Sequence, residues 1–267
     1  MERIYRLHYR AQLKEEYEET QLQSAINACV RNIKILQREG RILTAGLYYY
    51  SKMLFLYYEA VGEPCKVLEP IDVVRQKLPK AEGGSCHNVR ETMPQVLWES
   101  GEDVQATIPY PDDFLEPIST YLMIWPGQDK DRLWVHMYHI YYHSIPKSIE
   151  QLKRAKVPEK RRGRIAFLRD EKVFSYTYYH RAIVEEGLLL GDKYQSIALH
   201  ENILFSYFEE PKTMVNRRNC AEESTIIEEW FKEDPESHFI HMPEGQGENF
   251  MLLPALFTLG IEDNIEV

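Results

Sequence analysis

Three short motifs occur twice in this chain, in the same order, and such a duplication constrains the fold more than any other feature of the sequence. Met53-Leu-Phe-Leu-Tyr-Tyr-Glu-Ala60 returns as Ile203-Leu-Phe-Ser-Tyr-Phe-Glu-Glu210. Pro94-Gln-Val-Leu-Trp-Glu-Ser-Gly-Glu-Asp103 returns as Pro254-Ala-Leu-Phe-Thr-Leu-Gly-Ile-Glu-Asp263, and Arg3-Ile-Tyr-Arg-Leu7 as Arg164-Ile-Ala-Phe-Leu168. A fixed order with small changes in spacing is the signature of a diverged duplication.

Each copy reads as the same series of elements. In the first, residues 4–9 form a short β-like run. Residues 14–39 carry Leu22, Ile26, Val30, Ile33 and Leu36 at helical spacing, with Gly40 as the stop. Residues 42–49 and 53–59 are β-rich runs around a short polar break, which is a hairpin signal. A second helix fits 70–77 and a last strand 96–98. The second copy has a strand over 164–168, a helix over 171–189 and a hairpin of 195–199 with 203–209. A helix over 224–232, with Ser224 as its N-cap, and a closing strand over 256–259 complete it. The order β-α-β-β-α-β is the split ferredoxin-like unit. The expected fold class is therefore α+β, with two such units, 1–103 and 163–267, forming an intramolecular pseudo-dimer of the dimeric α/β-barrel type. Packing sheet on sheet would cover both open faces. Residues 104–162 fit neither copy and read as a connector with one strand, 133–142, and a helix that Pro146 would start well.

Charge and cysteine usage bound the partners. A net charge of −10 repels phosphate backbones and anionic lipid, so neither nucleic acid nor a membrane is an expected partner. The one basic run, 153–164, reads as a solvated connector. Cys29, Cys65, Cys86 and Cys220 form no C-x-x-C pair and suggest no disulfide framework. The N-terminal MERIYRLHYR lacks the apolar core of a signal peptide, and the most apolar stretches are too short to span a bilayer. The expectation is a cytoplasmic protein.

The residues that could carry chemistry lie in the second copy. Tyr176 and His180 are four apart in a helical stretch, which stacks them on one face. His gives and takes protons near neutral pH, and Tyr offers a hydroxyl. Trp230-Phe231 adds flat apolar faces suited to the C–H face of a sugar. An aromatic core accounts for the same residues without any chemistry. His136, His139 and His143 suggest a metal site less well, because strand geometry sends the first two to opposite faces. Gly245-Gln-Gly247 is too short for a nucleotide loop.

The stretch Leu168-Arg-Asp-Glu-Lys-Val-Phe-Ser-Tyr-Thr-Tyr-Tyr-His-Arg-Ala-Ile183 resembles the first-helix signature of the L-rhamnose mutarotase family, E-K-[IV]-x-x-Y-x-x-x-H. Residues 194–209 resemble its hairpin, and Ile226-Ile-Glu-Glu-Trp-Phe231 its paired-tryptophan helix. The likeness covers about a third of the chain. It implies His180 as proton donor, Tyr176 and Trp230 as sugar ligands, and Phe231 in place of the second tryptophan. The family's sugar-binding hairpin Tyr falls at Gln195, which can still bond hydroxyls. The resemblance implies a small-molecule sugar as partner, no cofactor and no metal, and, since the family forms dimers of this unit, a homo-oligomer or a fused pair. By the same alignment the first copy has Tyr17 for Tyr176 and Gln21 for His180, and so has lost the site. The expected activity is sugar mutarotation. A non-catalytic sugar-binding or regulatory protein, or a cofactor-free oxygenase-like enzyme, are the alternatives that the scaffold leaves open.

Overall fold

The computed structural model describes residues 3–62, 108–125, 132–143, 148–188, 190–216 and 224–261. In chain order its elements begin with strand β1 (Arg3–Gln12), helix α1 (Glu19–Arg38), β2 (Ile42–Tyr50) and β3 (Met53–Gly62). Helix α2 (Pro111–Leu115) runs into a 3-10 turn (Glu116–Tyr121), followed by β4 (Val135–His136), β5 (Tyr138–Tyr142) and α3 (Ile149–Leu152). The second half has β6 (Lys160–Leu168), α4 (Val173–Glu186), β7 (Leu190–Asp192), β8 (Ser196–His200), β9 (Ile203–Glu210) and β10 (Met214–Asn216). It ends with α5 (Thr225–Lys232), β11 (Phe239–Ile240), β12 (Met251–Leu252) and β13 (Ala255–Gly260).

The fold is mixed α+β, with two larger antiparallel sheets. One has the order β13-β2-β3-β1-β4; the other runs β11-β6-β9-β8-β5, with β12 also on β6. Both central hairpins close through two-residue turns whose positive φ values match strand twist: Ser51 and Lys52 in one, Glu201 in the other. Helix α1 covers the outer face of the first sheet with Leu22, Ile26, Cys29 and Ile33, and Phe114, Leu115 and Ile118 pack beside it. Gly40, at φ +72°, ends that helix in a conformation glycine adopts without strain. On the second sheet, α4 and α5 bury Tyr176, Ile183, Val184 and Trp230. As expected of an N-cap, Ser224 Oγ accepts the Ile227 N–H at 3.0 Å.

The inner faces of the two sheets meet in a third cluster, in which Tyr48, Phe55 and Tyr57 pack with Ile165, Phe205 and Tyr207. Tyr57 and Tyr207 stack with ring centroids 3.7 Å apart, and their hydroxyls donate to Glu59 and Glu209, each at 2.7 Å. Both carboxylates are buried. Arg154 bridges them, at 2.8 Å to Glu59 and 2.7 Å to Glu209. Burial alone would raise the Glu59 pKa, but the Arg154 guanidinium overrides it and holds the group at about 2.

The structure corrects four readings of the sequence. The strand at 256–259 forms, but as β13 on the outer edge of β2, in the opposite sheet from the one it was expected to close. The strand expected over 133–142 is two strands. β4 lies beside β1 and β5 beside β8, and between them the buried Met137 marks where the chain crosses from one sheet to the other. Residues 104–162 thus do more than connect, since they lend β4 to one sheet and β5 to the other. The basic run 153–164 is solvated only in part: Lys153, Lys156 and Lys160 are exposed, but Arg154 is the clamp just described, the Arg161 side chain is 6% exposed, and the run continues into β6. Finally, the motif pair of residues 3–7 and 164–168 is out of register. Ala11 pairs with Leu54 as Ala166 pairs with Leu204, so the chain positions equivalent to Arg164–Leu168 lie at 9–13 rather than 3–7. The helix expected at 70–77, the strand at 96–98, the motif 94–103 and Cys65, Cys86 and Cys220 lie outside the described residues.

Candidate functional site

The candidate chemistry sits where α4 and α5 cross the outer face of the second sheet. Tyr176 is the fourth residue of α4 and His180 lies one turn on, as the spacing predicts. Their rings stack at 3.8 Å with planes 19° apart. Trp230, on the buried face of α5, meets both rings edge-on, 5.3 Å from His180 and 5.7 Å from Tyr176. The structure therefore brings together three of the five residues singled out from sequence. Phe231 points outward and is 69% exposed, because it follows Trp230 by one helical step. Gln195 sits in the turn before β8, where its backbone N–H donates to Asp192, and it makes no contact with the other three.

The protonation states are set by burial and by local backbone groups. His180 Nδ1 lies 2.9 Å from the Tyr176 carbonyl oxygen, which can only accept, so Nδ1 carries the proton and Nε2 carries the lone pair. Burial pulls the His180 pKa down to about 4, against an upward pull from that carbonyl. At neutral pH the imidazole is neutral. Burial also raises the Tyr176 hydroxyl well above the ordinary tyrosine range, opposed by Arg164, so it remains a donor. Among the described residues, Tyr176 Oη, His180 Nε2 and Trp230 Nε1 have no hydrogen-bond partner, although Tyr176 and Trp230 are buried. Three unengaged polar atoms on one aromatic cluster are groups a ligand could satisfy.

Sequence reasoning missed the second tier of this site. His238 packs 4.6 Å from Trp230 and its Nε2 lies 2.9 Å from Ser175 Oγ. Phe239 meets Tyr176 edge-on at 5.6 Å, and Tyr141 comes from β5 to within 6.1 Å of His180. Arg164, on β6, lies over the rings of Phe250 at 4.4 Å and Phe208 at 5.1 Å. The period-two alternation of Lys160, Arg162 and Arg164 was the available signal, since it marks a strand with one basic face.

The first half keeps the scaffold without these groups. Tyr17 precedes α1, and Gln21 is exposed and donates to Glu18, so neither occupies the site position. The fourth residue of α1 is Leu22 and one turn on is Ile26, both buried. Apolar side chains fill the place of Tyr176 and His180. Among the described residues no group of three or more His, Cys, Asp or Glu is placed to hold a metal, and no helix is long and apolar enough to cross a membrane.

No family model and no curated protein matches this chain. Two crystal structures are similar over most of the length. One is of a candidate monooxygenase from Lactobacillus acidophilus, 8% identical over 97% of each chain with a TM-score of 0.37. The other is of a candidate monooxygenase from Fusobacterium nucleatum, 9% identical over 97% of this chain and 94% of that one, also with a TM-score of 0.37.

Proposed function

We propose that the chain is a fused pseudo-dimer of two ferredoxin-like units, one of which carries an acid–base site of the sugar-mutarotase type with His180 as its base. The observation that carries this reading is the fixed tautomer of His180: Nδ1–H is tied to the Tyr176 carbonyl, and the lone pair on Nε2 is left without a hydrogen bond among the described residues, beside a protonated tyrosine and a tryptophan edge. Mutarotation needs little else. Nε2 takes the proton of the anomeric hydroxyl while the Tyr176 hydroxyl donates to the ring oxygen. The C–O bond of the ring breaks and the carbonyl forms. The same proton movements in reverse close the ring on the other face. A pKa of about 4 makes His180 a proton acceptor in the resting site rather than the donor that the family resemblance implies.

His180→Ala should slow anomer exchange, followed by saturation-transfer NMR on a panel of aldoses, by about 10²–10⁴-fold. The wild-type rate should hold from neutral pH down to about pH 5 and fall as His180 is protonated near 4. Exchange of no tested aldose above the buffer rate would overturn the assignment.

One observation favours a second reading. Tyr141, Tyr176 and Trp230 surround His180 with rings, and Phe239 packs on Tyr176 behind them, which suits a flat, enolisable substrate as well as a sugar. A neutral base could take a proton from such a substrate, and the resulting anion could pass an electron to dioxygen without a cofactor. Oxygen uptake with hydroxylated aromatic substrates, lost in His180→Ala, would select this reading.

A further inference from the structure

Arg164 has no role in the proton transfers proposed above, yet it is built into the same site. It projects from β6 toward α4, its guanidinium lying between the rings of Phe208 and Phe250. Its one hydrogen bond is a long one, Nε to Ser206 Oγ at 3.4 Å, and no carboxylate pairs with it. The neighbouring strand positions behave differently: Arg162 pairs with Glu210 at 3.1 Å, and Arg161 approaches Glu209 at 3.9 Å. Among the described residues the two terminal nitrogens of Arg164 have no hydrogen-bond partner. Ring faces on either side remove water from the flat surfaces of the group and leave its edge to make bonds.

We propose that Arg164 is the subsite for a carboxylate on the ligand of the Tyr176–His180–Trp230 cluster, so that the substrate is an anionic rather than a neutral sugar; this rests on the acid–base reading above. The edge of a guanidinium presents two parallel N–H groups that match the two oxygens of a carboxylate. A single guanidinium supplies one positive charge, which matches a monoanion rather than a phosphate dianion. Phe250, under the guanidinium, meets Phe239 at 5.9 Å between centroids, and Phe239 meets Tyr176 edge-on at 5.6 Å, which ties the proposed carboxylate subsite to the aromatic cluster that holds the hydroxyl assigned to the ring oxygen. A uronic acid has this layout, with its carboxylate on the carbon next to the ring oxygen.

The test compares glucose, glucuronate, glucose 6-phosphate and acetate by NMR titration, reading the Arg164 Nε–H signal assigned by its loss in Arg164→Lys. Glucuronate and acetate should shift that signal saturably, and glucuronate should bind about 10- to 100-fold more tightly than glucose. Arg164→Gln should remove that preference while leaving His180 titration near pH 4 in place, a readout that a merely structural arginine would not separate. If neither carboxylate perturbs the signal, or if the phosphate binds more tightly than glucuronate, the subsite proposal falls. Anomer exchange that is fast for glucose and no faster for glucuronate would also overturn it, while the mutarotase reading would stand. Arginine-dependent carboxylate binding without exchange of any aldose would keep the subsite and remove the mutarotase reading.

Discussion

At the scale of single residues, close packing sets the sharpest constraints. Tyr48 is fully buried between the sheets, and a Cβ added at Gly163 of the facing strand would lie 2.5 Å from its ring. Only glycine admits the ring there, so Gly163→Ala should cost about 1–3 kcal/mol in a urea melt as the core is overpacked. The Tyr48 hydroxyl has no hydrogen-bond partner. Tyr48→Phe should therefore leave stability unchanged or raise it by about 1 kcal/mol, since a buried orphan hydroxyl is removed without loss of ring packing. Neither effect could be foreseen from the chain, because a glycine opposite a tyrosine is a relation between two sheets. The Tyr176–His180 pair was legible for the opposite reason: both residues belong to one helix, and the helical repeat alone fixes their contact. Trp230 needed the family resemblance, and Arg164 needed the fold.

Secondary-structure elements were readable where their signals were local, and misassigned where pairing was distant. The hairpins announced themselves through β-branched and aromatic runs around two-residue turns, and Gly40 marked the stop of α1, whereas α4 ends at Glu186 with Gly187 as its cap, short of the expected 189. The start of α1 was placed five residues early because Glu and Lys after Leu13 look helical, whereas the Lys14 backbone is held by Tyr121. The partners of β5 and β13 had no local signal at all, since the same apolar strand could have lain on either sheet. The short linking helix α3 and the turn after it illustrate how a charged run deceives: Arg154 reads as solvated, but it holds two buried carboxylates. Removing one partner of such a group strands the others. Arg154→Met should cost about 3–5 kcal/mol in urea denaturation, and the additional changes Glu59→Gln and Glu209→Gln should recover much of the loss.

For the molecule as a whole, the inner space between the sheets holds basic groups kept neutral. Burial drives His8 and His139 well below the usual histidine pKa, helped in both cases by Arg6 and His136. When the chain unfolds below about pH 6.5, these imidazoles take up protons that the folded state refuses. Stability should hold above that pH and fall as pH drops through it, measured as a urea midpoint that declines from pH 7 to 5. Glu59 extends the decline at lower pH: with a folded-state pKa of about 2, its contribution is lost as pH falls below 4.5.

The exchange of outer strands has a consequence for folding. β5 completes the sheet of the second half and β13 that of the first, so neither half owns a full set of strand partners. Cut in the linker before β6 and supplied as two polypeptides, the halves should each expose an unpaired sheet edge alone and recover native structure only when mixed. Two halves joined in this way need not be identical: α1 buries Leu22 and Ile26, whereas α4 buries Tyr176 and carries His180.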